Sequence, residues 1–427
     1  MTSYSEQMLD DLDRGQLDAA KKSFASALRH DDDETLHSLA EELFALGFTK
    51  NAKRTLLKLL ERYPEEDLFR TELAEIAIAD DDTEAALNYL SVIEPTSEAY
   101  LEALLVQADL YQSEGLNEVA ESKLKVAEAI APDEPVIQFA LAELWFSAGR
   151  YGEAIPEYRS LIAAGTTSWS GVNLVSRIGV AYAMLGDNRK ALGYLEQIPV
   201  TELTADVKFQ LAMLYTMDDE QKEQAIKLFE ELLDEDQSYA GAYVPLAQLY
   251  EQKADPKRAL VTYEAGLAVD QFNEKAYLNG ARVAQQLGEV DQANRLYQKA
   301  LKNLPDHPDI INAYASFLVN DHQMIEAVNL FNKALEDDEY ELDAVGYWNL
   351  AQAYTELEDY AMADQYWQAA LPLLQTTPDF LKQAYAYYRE AGNRPMMQKN
   401  LAAYLQAEPD DTEMAYEYEL LKDDLED

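Results

Sequence analysis

The chain contains no cysteine, which excludes disulfides, thiolate zinc sites, iron–sulfur clusters and cysteine nucleophiles. No window approaches the run of about 18 apolar residues that a membrane-spanning helix needs. The opening stretch "MTSYSEQMLDDLDRGQ" has neither a basic n-region nor an apolar h-region, so no secretory signal is visible and the cytoplasm is the expected location. Histidine is scarce: His30, His37, His307 and His322 show no HExxH or other paired metal spacing. GxSxG, the P-loop and GxGxxG are all missing. No motif therefore points to catalysis, a metal or a cofactor, and a non-enzyme is expected.

Positive charge is also in short supply. Lys and Arg number 34 against 80 acids, for a net charge of −46. Phosphate backbones and anionic membranes are repelled by such a field, so neither nucleic acid nor a lipid surface is an expected partner. A cationic protein segment is favoured instead. The acids are densest at residues 408–427, where ten face the single Lys422. The short runs Asp31 to Glu34 and Asp80 to Glu84 lack the D-x-D-x-D-G loop of a calcium site and fall where Asp would cap a helix.

What the chain has in abundance is self-similarity. The stretches "LAQLYEQKADPKRALVTYEAGL" (Leu246 to Leu267) and "LAQAYTELEDYAMADQYWQAAL" (Leu350 to Leu371) share one register of Leu-Ala, Tyr, Ala and an aromatic. The same pattern recurs at Leu39-Ala40, Leu73-Ala74, Gln107-Ala108, Leu141-Ala142, Ile178-Gly179, Leu211-Ala212, Gly280-Ala281 and Tyr314-Ala315. The first copy keeps only Ala20, Phe24 and Ala27, and the last is degenerate around Ala384, Tyr387 and Leu401. The period is 32–37 residues, mostly 34, giving about twelve copies.

Each copy reads as two amphipathic helices joined by a Gly-bearing turn, with small residues where backbones cross and an aromatic filling the gap between neighbours. Many of the 28 tyrosines, among them Tyr111, Tyr182, Tyr215, Tyr250, Tyr263, Tyr297 and Tyr354, sit on packing positions. The period and pattern resemble those of tetratricopeptide repeats over essentially the whole chain. Segments such as "LAEELFALGF" and "YLEALLVQADLYQSEGLNEVAESKL" are similar to the YpiA-type members of Gram-positive bacteria. The resemblance implies an all-α, right-handed α-solenoid superhelix of about twelve helix-turn-helix repeats. Residues 1–410 would form one continuous solenoid, and 411–427 a closing helix with an acidic tail. About four-fifths helix in roughly 24 helices is expected.

The same resemblance implies a concave groove lined by the first helix of each copy. Its position 9 reads Glu41, Glu75, Asp109 and Glu143 in four successive copies, with Glu34, Glu72 and Glu102 on the same face. This acidic ladder is the candidate site for a basic segment; the alternative is a solvated face of an acidic protein. Further along, groove positions carry Phe139, Phe146, Met184, Phe209, Met213 and Met217, which suit adaptable apolar binding. The C-terminal groove, with Lys275, Asn279, Arg282, Lys382 and Arg389, is mildly basic and lacks the full Lys/Asn/Arg set that grips a C-terminal carboxylate in some family members. The expected function is a non-catalytic scaffold binding a protein or peptide segment in the groove. Its rivals are an adaptor or assembly factor acting through self-association, and an enzyme with a site invisible in sequence.

Overall fold

The computed structural model of the protein describes residues 3–337 and 340–423, so the end of the expected acidic tail, residues 424–427, lies outside them. The fold is 76% helical, with 25 α-helices among the described residues. It falls into two compact units, Met1–Leu214 and Tyr215–Asp427.

In the first unit, α1 (Tyr4–Asp13) pairs with α2 (Leu17–His30), and α3 (Asp33–Ala45) with α4 (Thr49–Arg62). Next come α5 (Asp67–Ala79) with α6 (Thr83–Leu90) and α7 (Tyr100–Ser113) with α8 (Asn117–Ile130). They are followed by α9 (Pro135–Ser147) with α10 (Tyr151–Ala163) and α11 (Leu174–Met184) with α12 (Asn188–Leu195). α13 (Ala205–Tyr215) runs to the boundary. The second unit opens with α14 (Lys222–Glu235). It continues as the pairs α15 (Tyr243–Gln252) with α16 (Pro256–Val269), and α17 (Glu274–Gln286) with α18 (Val290–Asn303). Three more pairs follow: α19 (Pro308–Asn320) with α20 (Met324–Ala334), α21 (Ala344–Glu356) with α22 (Tyr360–Leu374), and α23 (Pro378–Glu390) with α24 (Arg394–Ala407). α25 (Thr412–Asp423) closes the unit, with Met414, Tyr418 and Leu421 against the last apolar cluster.

The register of small residues explains the pairing. In the second helices, Ala20, Ala52, Ala86, Ala120, Ala154 and Ala191 are at most 2% exposed, as are Ala225, Ala259, Ala293, Ala327 and Ala363. A methyl at these places lets two helix axes approach to roughly 8–10 Å. Four residues on, Phe24, Tyr158, Phe229, Tyr263, Tyr297, Phe331 and Trp367 are all buried. Their polar tips find partners on the first helix of the same pair: Tyr158 donates to Glu143, Tyr263 to Glu251 (2.7 Å) and Trp367 to Thr355 (3.0 Å). First helices also touch the first helices of the next pair (α1 with α3, α5 with α7, α17 with α19, α19 with α21), so each unit has a face made of them. Asp32 caps α3 and Asp82 caps α6 through their side-chain oxygens, the role their acidic runs suggested.

One element breaks the register. Ala142 and Gly179 are separated by 37 residues rather than 34, and the extra chain forms a small hairpin, β1 (Ser168–Trp169) antiparallel to β2 (Val172–Asn173). Ser170 (φ 45°) and Gly171 (φ 80°) turn it. They are the only strands among the described residues.

Two substitutions test the backbone logic. The turn after α15 puts Ala254 at φ 57°, where Gly149, Gly186 and Gly288 hold the matching place after other first helices. Ala254→Gly should stabilise the protein by about 1 kcal/mol. Gly266 replaces the usual larger residue in α16 because a Cβ there would lie 2.8 Å from Tyr243 Cβ. Gly266→Ala should cost about 1–3 kcal/mol despite the better helix propensity of Ala. Urea unfolding of both variants against the parent measures the two signs.

Candidate functional site

The first-helix face of α3, α5 and α7 carries a cluster of carboxylates that the fold brings together. His37 sits one turn before Glu41 on α3, and its Nε2 lies 2.5 Å from Glu72 Oε1 on α5. The imidazole is wedged edge-on against Phe69, ring centres 5.2 Å apart. Glu72 Oε2 is buried and has no hydrogen-bond partner. Burial pushes the Glu72 carboxyl above its ordinary range, and Glu41 and Glu102 repel it further, against the pull of His37. Glu75, half-buried on the same helix, is pushed up to about 7, first by burial and then by Glu102, Glu72 and Asp109. Glu102 on α7 is likewise raised by burial, with His37 opposing. Glu34, Glu41 and Asp109 are exposed. Glu41, Glu75 and Asp109 of the sequence ladder are therefore joined electrically through Glu72 and Glu102.

Glu143 is different. Arg177 of α11 grips it with two bonds, Nε to Oε1 at 2.9 Å and Nη2 to Oε2 at 2.7 Å, while Tyr158 donates to it from α10. A bidentate guanidinium leaves no free carboxylate, so the acidic face ends at Asp109.

The apolar positions are similarly modified by neighbours. Phe139 is stacked under Trp169 of the hairpin, with ring centres 5.7 Å apart. Phe146 is edge-on to Tyr151 and lies beneath the Arg177 guanidinium at 4.5 Å. Phe146 also lines a pocket of about 380 Å³ with Val172, Val180 and Val207. Met184 is 54% exposed, Phe209 and Met213 are half-buried, and Met217, in the second unit, is exposed. The mildly basic C-terminal side chains are drawn onto the fold itself: Arg282 to Glu251 (2.6 Å), Lys382 to Asp411 (3.6 Å) and Arg389 over Tyr385.

Sequence reasoning missed His37, Arg177 and Trp169. His37 carried a signal, being four residues before Glu41. The 37-residue spacing announced an insertion but not that its Trp would return to Phe139.

Comparison with known proteins follows the same lines. Family models described as YpiA-like tetratricopeptide repeats match residues 112–166, YpiA-like C-terminal tetratricopeptide repeats match 346–411, and a general tetratricopeptide repeat matches 275–307. The chain is similar to the TPR repeat-containing protein YpiA of Bacillus subtilis (strain 168), 29% identical over 405 residues that cover 92% of each. It also resembles the crystal structure of the APC/C hetero-tetramer Cut9-Hcn1, with a TM-score of 0.43, 14% identity, and 98% of this chain and 96% of that one covered. A shorter likeness, to the TPR protein YrrB, has a TM-score of 0.36 and 20% identity over 45% of this chain and 97% of that one. Repeats of this kind mediate protein–protein interaction. No helix among the described residues is long and apolar enough to cross a membrane.

The raised carboxyl of Glu75 has a consequence for stability. Below pH of about 4.5 it is protonated in both folded and unfolded chains; as the pH climbs toward 7 the unfolded chain loses the proton first. Its contribution to stability therefore falls with rising pH across that window and stays low above it. Glu75→Gln should be more stable than the parent at about pH 8, by about 1 kcal/mol once the screening of a half-exposed group is allowed for. Near pH 4 the two should coincide. Chemical denaturation at both pH values gives the comparison, and an equal offset at both would mean that ionisation of Glu75 costs the fold nothing.

Proposed function

We propose that this chain, a tetratricopeptide-repeat solenoid similar to the YpiA-type proteins, is a non-catalytic cytoplasmic scaffold. It holds a basic segment of a partner protein along the first-helix face of α3, α5 and α7. The observation that carries this reading is the crowding of Glu41, Glu72, Glu75, Glu102 and Asp109 on one face, where burial and then mutual repulsion push the Glu72 and Glu75 carboxyls up. Carboxylates kept this close raise each other's ionisation cost, and a Lys or Arg side chain laid between them removes it. Past Asp109, Phe146 and the neighbouring pocket offer apolar contact for the same segment.

Binding a cation lowers the pKa of Glu75, so complex formation expels a proton and tightens as pH rises through 7. Charge also makes association faster at low salt, because exposed charges are screened within about 8 Å at physiological ionic strength. Glu41, Glu75 and Asp109 lie off the buried packing positions, so the triple variant Glu41→Gln, Glu75→Gln, Asp109→Asn keeps the helices.

The test is a titration with a labelled peptide built of Lys-Leu-Lys units, and with any partner that affinity purification and mass spectrometry return from the native cells. The triple variant should bind about tenfold more weakly at low salt, with a flatter salt slope and no rise in affinity between pH 6 and 8. If affinity, salt slope and pH response match the parent, the acids only solvate the surface and the reading fails.

A further inference from the structure

The opposite sign of charge is concentrated on the second helices of the same repeats. α4 carries five cations, Lys50, Lys53, Arg54, Lys58 and Arg62, against the single acid Glu61, in a chain whose net charge is −46. Arg62 is engaged by Asp33. The other four, joined by Arg29 from the last turn of α2, line a concavity of about 640 Å³ between α2 and α4. Among the described residues none of these five has a carboxylate in ion-pair contact, although acids outnumber cations more than twofold in the chain. Burial, and then the nearby Arg62 and Arg54, hold the Lys58 ammonium below its ordinary range, against the pull of Asp33 and Glu61. Five cations thus crowd around one hollow with Glu61 as the one acid lining it, and the excess of like charge costs stability that a further anion would restore.

The walls are charged, but the floor is not. Leu57 is 38% exposed, and Leu28 and Ala25 line the concavity with it. Arg54 is itself laid over the Phe24 ring, 5.8 Å from its centre, which fixes one cation on the α2 side. We infer that the concavity between α2 and α4 is a second docking site, which takes an acidic protein segment bearing an apolar side chain: carboxylates reach Arg29, Lys50, Lys53, Arg54 and Lys58 while the apolar group covers Leu57.

Three features select this occupant over other anions. The volume is several side chains rather than one phosphate. The leucine floor has no use for an inorganic ion. Nucleic acid and anionic membrane carry charge far beyond the patch, where the surrounding acidic surface repels them; a short acidic segment ends where the patch ends. The site is on second helices and the acidic face on first helices, so one stretch of solenoid offers two faces of opposite charge.

Fluorescence anisotropy with a labelled peptide built of Glu-Glu-Leu units tests the site on the full chain. The parent should bind it, and more weakly as salt rises. Lys50→Glu, Lys53→Glu and Arg54→Glu together should reduce affinity by about tenfold or more, with circular dichroism unchanged because these side chains are not core. Leu57→Asn alone should weaken the Glu-Glu-Leu peptide and leave a Glu-Glu-Ser peptide where it was. The Glu41→Gln, Glu75→Gln, Asp109→Asn variant should bind the acidic peptide as the parent does, which separates failure here from failure of the acidic-face reading. Equal binding by the charge-reversed chain, or capture of polyphosphate or phosphatidylglycerol vesicles in preference to the acidic peptide, overturns the assignment.

Discussion

Everything in this molecule depends on how closely two helices can cross at an alanine. Ala52, Ala120, Ala154 and their counterparts are fully buried because the partner backbone occupies the space a larger side chain would need. That approach recurs every repeat, and each pair leans only on the next, so packing is specified by a handful of positions. The remaining surface is free to vary without threatening the fold. Where the register must change, the chain pays in small adjustments: Gly179 replaces Ala because a Cβ there would collide with the Leu195 side chain.

The packing positions were legible in the sequence because they repeat. A residue such as Tyr263 or Tyr297 is predicted by its neighbours thirty-odd residues away, and both are buried. The turns were legible through glycine, though Asp81, Ala254, His322 and Glu358 adopt the same left-handed backbone without it. What could not be read were contacts between repeats made by non-repeating residues. Arg177 meets Glu143 across 34 residues, and Trp169 meets Phe139 across a hairpin that belongs to no register. The cations of α4 were hidden for another reason: a chain-wide net charge averages away a local concentration of the opposite sign, and helical projection alone does not say that Arg29 of α2 faces the same hollow.

The large excess of acid also dictates how polar groups are satisfied. With 34 cations for 80 carboxylates, acids at the edge of the core draw on other donors as well. Phenols substitute. Tyr250 donates to Glu230 at 2.6 Å, Tyr263 to Glu251 at 2.7 Å, Tyr385 to Glu417 at 3.0 Å and Tyr404 to Asp411 at 2.8 Å. A neutral donor brings less attraction than a guanidinium but also far less desolvation, which suits a position half inside the protein. At several acids a phenol and a cation converge: Arg177 at Glu143, Arg282 at Glu251, Arg258 at Glu230 and Lys382 at Asp411.

These phenols give the chain its own optics. A tyrosine absorbs differently once its hydroxyl ionises, and a phenol that is buried and bonded to a carboxylate resists ionisation. Tyr250, Tyr340 and Tyr404 are each pushed up to about 12, and Tyr158, Tyr263 and Tyr388 higher still, by burial or by an acidic partner. In alkaline solution an ordinary phenol turns to phenolate near pH of about 10, before these do. The ultraviolet spectrum thus separates surface from interior without any label. Because Tyr158 lies in the first unit and the other five in the second, the delayed part of that spectral change reads out chiefly the opening of helix pairs in the second unit.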